Sequence, residues 1–157
     1  MTLDDASTAL LGEIFSGLEQ ELNDFIALLE EEQRLLGQRL PSAADLEASR
    51  EAKLANAARL EALESRRRSW LSNAGLTNDP LELHTVLASQ PVLATQWWHL
   101  VTLTRRAQAR NRLNGELIGQ RMALHSKILD SLHQRSPGHY GADGRPAAGA
   151  SRLNVSA

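Results

Sequence analysis

From Leu11 the larger apolar residues recur at alternating steps of four and three: Leu11, Phe15, Leu18, Leu22, Phe25 and Leu29, with Leu36 beyond a polar break at Glu32. That spacing returns one stripe to the same side of an α-helix every seven residues, as in a coiled-coil seam, and Ile14 and Ile26 widen it. A first helix is predicted from about Leu3 to Gln38. At 1.5 Å per residue it makes a rod of roughly 50 Å, so the domain is expected to be elongated.

In "RLPSAADLE", Pro41 disfavours helical geometry at Leu40, and Ser42 with Asp45 reads as a capping box. A second helix should run from there to about Ala74, with a weaker seam of Leu46, Leu54, Ala57, Leu60, Leu63, Trp70 and Leu71. Gly75 suits the left-handed residue that closes a helix. Asp79, Pro80 and Glu82 are three start signals for a short helix ending near Ala88, with Glu82 completing a box on Asp79. Pro91 then opens a third long helix to about Gln134. Its predicted seam is Leu93, Trp97, Leu100, Thr104, Ala107, Asn111, Asn114 and Ile118, followed by Met122 or His125, Ile128 and Leu132.

Residues 136–157 carry four glycines and two prolines, with only Tyr140, Leu153 and Val155 as larger apolar residues. Such a stretch buries too little surface to offset roughly 1–2 kcal/mol per residue of backbone ordering. The expected architecture is therefore all-α: an elongated antiparallel coiled-coil bundle of three long helices plus one short helix. It occupies residues 1–135, and 136–157 form a flexible Gly/Pro-rich tail. Composition supports the helical reading, since Leu and Ala dominate while aromatics are 4% and Val, Ile and Tyr are scarce.

The net charge of -2 hides an asymmetry. Residues 1–33 hold nine acids and no Lys or Arg, whereas residues 99–135 hold seven bases against Glu116 and Asp130. Attraction between these segments suits an antiparallel packing of the first and last helices; two solvated faces are the other reading. Acids stand at the N-terminus where a signal peptide carries bases, no apolar run approaches the roughly 20 residues of a spanning helix, and cysteine is absent. A cytoplasmic protein without stable membrane insertion is expected.

Little in the chain points to catalysis, and no cofactor is expected. His84, His99, His125, His133 and His139 show no metal-ligand spacing, and Asp130 with His133 reads as a surface ion pair. There is no phosphate-binding glycine loop and no nucleophile elbow. Arg66–Arg68 and the arginines at 105, 106, 110 and 112 are too scattered in direction to make a nucleic-acid footprint. Trp97 fits the seam, leaving adjacent Trp98 for the short helix or for solvent.

Two features remain. Asn111 and Asn114, with Gly115 beside them, interrupt the third helix's seam. Either they form a polar layer that fixes register, with Gly115 letting another backbone approach, or they are a solvated asparagine pair. Beyond them, Ile118, Met122, Leu124, Ile128, Leu129 and Leu132 spread over more than one stripe, so apolar surface should be left for a partner helix.

Three stretches together resemble the FlgN family of flagellar type III export chaperones. They are the paired helices "LLGEIFSGLEQELNDFIALLEEEQRLL" and "LEASREAKLANAARLEALESRRRSWL", the stretch "NRLNGELIG" with Asn111, Asn114, Gly115 and Ile118, and the ending "HYGADGRP" with Tyr140, Gly141 and Gly144. The Pro80–Ala88 helix and Arg152–Ala157 fall outside the pattern. The resemblance implies a non-catalytic, ATP-independent chaperone that captures C-terminal helices of the hook-filament junction proteins FlgK and FlgL and delivers them to the export gate protein FlhA. Carried over, client contact falls on Ile118, Met122, His125, Ile128, Leu129 and Leu132, and gate docking on Tyr140. A structural coiled-coil adaptor without a client, weakly self-associating through the same surface, is the alternative.

Overall fold

The computed structural model describes residues 4–134 and divides the chain into two compact units, 1–118 and 119–157. Four helices follow one another: α1 (Asp5–Leu36), α2 (Ala43–Asn73), α3 (Pro80–Leu87) and α4 (Pro91–Gln134). No strand occurs among the described residues. The division falls within α4, between Ile118 and Gly119.

Cap chemistry sets the helix ends. The Ser7 N–H donates to Asp4 Oδ1 at 2.7 Å, which starts α1. That bond holds the Asp4 carboxyl below its usual 3.8, so the cap's contribution exists above that pH and is lost as pH falls through the lowered value. The Asp45 N–H donates to Ser42 Oγ at the start of α2. Its end is a left-handed closure: Gly75 has φ of 72°, its N–H donates to the Ser72 carbonyl, and the Leu76 N–H donates to the Leu71 carbonyl at 2.9 Å. Asp79 caps α3 through the Leu81 N–H, but Glu82 does not complete the expected box. Its carboxylate instead accepts from the Thr77 N–H and hydroxyl, fastening the loop before the helix.

The core of the first unit is the predicted α1 stripe. Leu11, Ile14, Phe15, Leu18, Leu22, Ile26 and Leu29 are buried, while Phe25 is half-buried. Trp70 and Leu71 of α2, Leu83 and Leu87 of α3, and Leu93 to Ala107 of α4 close over it. In α2, Leu46, Leu60, Leu63, Trp70 and Leu71 are buried or half-buried as expected, and the seam departs from the Leu-based expectation at Leu54 and Ala57. Leu54 is exposed at 58%, and a run of buried or half-buried positions continues from Leu46 through Ser49, Lys53, Asn56, Leu60, Leu63, Arg67, Trp70 and Ala74. Those positions alternate steps of four and three throughout, so α2 has a full heptad seam whose first half is mostly polar.

The same happens in α4. Leu100, Ala107 and Asn114 lie in the seam as expected, but Leu103 and Arg110 take the places assigned to Thr104 and Asn111, which are exposed.

Helix directions carry a second correction. α1 and α2 are antiparallel: Trp70 Nε1–H donates to the Ser7 carbonyl near one end, and Lys53 meets Glu32 near the other. α4, in contrast, runs parallel to α1, since Phe15 stacks on Trp97, Glu30 meets Arg110 at 3.0 Å and Leu29 meets Asn114. The acidic and basic segments do pair, through Glu30 with Arg106 and Arg110, but as exposed contacts worth little individually. Direction follows from connectivity instead, because α2 has already reversed the chain and only short segments separate it from α4.

The close approach expected at Gly115 is absent there, and a tight side-chain contact is found at another glycine instead. A side chain added at Gly115 would meet nothing within 4 Å, whereas at Gly17 of α1 it would meet Leu63 of α2 at 3.0 Å.

Candidate functional site

The C-terminal part of α4 exposes apolar side chains at regular spacing. Within the second unit, Met122, His125, Leu129 and Leu132 follow one another at steps of three, four and three, which places them on one side of the helix; Ile118 is the last residue of the first unit. Ile128 widens the stripe from beside Leu132. Exposures are 37% for Ile118, 69% for Met122, 47% for Ile128, 55% for Leu129 and 56% for Leu132, and His125 is exposed as well. Among the described residues, this part of α4 is an exposed, mostly apolar helical surface. His133, expected to pair with Asp130, has Nδ1 2.8 Å from the Leu129 carbonyl oxygen instead.

Upstream, Asn114 is 1% exposed. Its Nδ2 donates to the Leu29 carbonyl at 2.8 Å and to the Glu32 carboxylate at 2.9 Å. Glu32, itself 7% exposed, also receives Lys53 Nζ at 2.8 and 2.9 Å. One carboxylate of α1 thus ties α2 and α4 together. The proposed layer shrinks to Asn114 alone, because Asn111 is exposed on the neighbouring side of the helix and Gly115 admits no neighbour. A matching contact lies further along α1, where buried Asn56 donates to the Glu21 carbonyl and to its carboxylate. The sequence reading took Glu32 only as a polar break in the α1 stripe and left Asn56 and Lys53 aside; polar residues at seam spacing were the available signal.

A family model described as FlgN protein matches residues 6–148. The chain belongs to the FlgN family. The family is one of flagellar chaperones rather than enzymes. The matched span includes α3, which the quoted stretches do not cover, and stops short of Arg152–Ala157. No match to the chain was found among curated proteins or among solved structures.

For this FlgN-family chain, the remaining candidates sort as follows. Trp97 is in the core, while Trp98 turns to α3 and lies 5.2 Å from the His84 ring. Arg67, from the triple arginine, is buried with its guanidinium 5.4 Å from the Trp97 ring centre and bonded to Glu64 and Asn78. Arg68 pairs with Glu61. Arg67 is therefore engaged in packing, and Arg68 in an exposed ion pair. Among the described residues no cluster of three or more His, Asp or Glu could hold a metal ion, and no helix is long and apolar enough to cross a membrane. Tyr140 lies outside the described residues.

Proposed function

We propose that this chain is a cytoplasmic chaperone for the hook-filament junction proteins FlgK and FlgL. It holds their C-terminal helices on Ile118, Met122, His125, Ile128, Leu129 and Leu132, prevents premature assembly, and delivers them to the export gate protein FlhA. The observation that supports this reading is the exposed apolar stripe on α4 in a member of a chaperone family. An amphipathic client helix laid along it removes apolar area from water at about 25 cal/mol per Å².

Replacing both Ile128 and Leu132 by Ser should weaken capture of a client C-terminal fragment by about a hundredfold or more, given roughly 1.5–3 kcal/mol for each large apolar side chain buried. Helicity of the free protein should hardly change, because both residues are solvent-exposed in it. Unchanged affinity in titration calorimetry would remove these residues from the client surface. Tyr140→Ala should abolish binding of the loaded complex to FlhA while preserving client binding. Equal loss of both would show that the tyrosine has no separate docking role. If sizing of mixtures shows self-association and never a heterocomplex, the chain is a structural adaptor instead.

A further inference from the structure

Within the first unit, α2 and α4 stand apart over a groove of about 590 Å³ whose floor is α1. All three helices present residues to it at coiled-coil spacing. The floor is Leu18, Leu22 and Phe25; one wall carries Ala57, Leu60, Glu64 and Arg67; the other carries Trp97, Val101, Thr104 and Gln108. Steps of three and four on every side are the receiving pattern for side chains of another helix, and three helices with such a gap lack the fourth member of a bundle. Along α2 and α4 the groove extends about 15 Å, or three helical turns. A compact small molecule would have no use for that repeat.

Charge along the rim selects among helices. On the α2 side, Glu61 and Glu64 are already engaged by Arg68 and Arg67. On the α4 side, Arg105 lines the groove with no hydrogen bond or ion pair among the described residues. The rim is therefore left with an uncompensated cation. The chain's own exposed stripe is a poor fit, since residues 119–134 carry Arg121 and Lys127 against Asp130.

The geometry points to this groove as a second docking site for a client: it receives one amphipathic helix of about three turns with carboxylates on the edge facing Arg105. The inference rests on the chaperone reading above and adds a contact surface distinct from the α4 stripe. A client bound at both places is held by two helices, and each lowers the chance that the other escapes.

The absence of cysteine makes the test direct. Single cysteines are placed in the full chain at Ala57 and Thr104, both exposed groove positions, and at Ala58 as an exposed control on α2 outside the lining. Alkylation rates are measured with and without a client C-terminal fragment. The expected result is slowing of about tenfold or more at 57 and 104, none at 58, and a loss of about tenfold in apparent affinity for this protection when Arg105→Glu is added. A complex that forms by sizing but leaves 57 and 104 as reactive as before overturns the groove site and leaves the chaperone reading standing. If no client fragment binds, the chaperone reading fails, and the groove is judged with a Leu/Glu amphipathic peptide and its Leu/Lys counterpart. Protection by the Glu peptide alone supports the site; protection by neither, or equally by both, overturns it. Protection that rises with the chain's own concentration, without any client, also overturns it in favour of a second copy.

Discussion

Phe15→Ala should lower the stability of the first unit by about 3–5 kcal/mol, the usual cost of truncating a fully buried phenylalanine. Phe15 has no exposed surface, and its ring stacks on Trp97 with centroids 5.7 Å apart and planes 27° from parallel. The substitution removes that stack and opens a void where α1 and α4 meet, so neighbouring side chains cannot fill it without moving a helix. Thermal unfolding should fall by about 10 °C. Phe15→Leu, which keeps most of the volume, should cost much less. A loss below about 1 kcal/mol for the alanine variant would show that α4 is not held on α1 at this level.

The second large effect concerns the carboxylate shared by three helices. Glu32→Leu should destabilise by about 2–3 kcal/mol, because Lys53 and Asn114 then lose their common partner. The figure sits below the full range for a broken buried pair because Lys53 keeps 22% of its side chain exposed. Removing all three partners together, in Glu32→Leu with Lys53→Met and Asn114→Leu, should recover most of the loss or exceed the original stability. What the triple variant should lose is uniqueness of register. Amide resonances of α4 should split into more than one set, and a single sharp set would show that Asn114 does not fix register.

The contrast between α1 and the other helices explains what could be read from sequence. In α1 the seam positions are almost all Leu, Ile or Phe, so periodicity and burial coincide. In α2 the buried positions include Ser49, Asn56 and Arg67, so a reading by apolar residues stays in phase at Leu46, Leu60, Leu63 and Trp70 but is drawn off it at Leu54 and Ala57, which are exposed. In α4 every seventh residue was placed correctly, but the choice between Leu103 and Thr104, or Arg110 and Asn111, depends on which neighbour the helix faces. Helix limits were legible because Ser42, Gly75, Asp79 and Pro91 act locally. The exposed α4 stripe was visible as apolar residues in excess of one seam. The groove was not, because a second set of heptad positions has meaning only once the separation of α2 and α4 is known.

One consequence of the Glu32 junction concerns how this chain can change length. Lys53, Glu32 and Asn114 fasten the three long helices at one level, while nearer the start of α1 Trp97 with Phe15 fastens α4 to it and Trp70 with Ser7 fastens α2. A deletion confined to α2 would leave either Lys53 or Trp70 without its partner. Removing a number of residues other than a multiple of seven would rotate one seam away from the core. Insertions and deletions between these contacts are thus compatible with this core only as whole heptads, taken from or added to α1, α2 and α4 together.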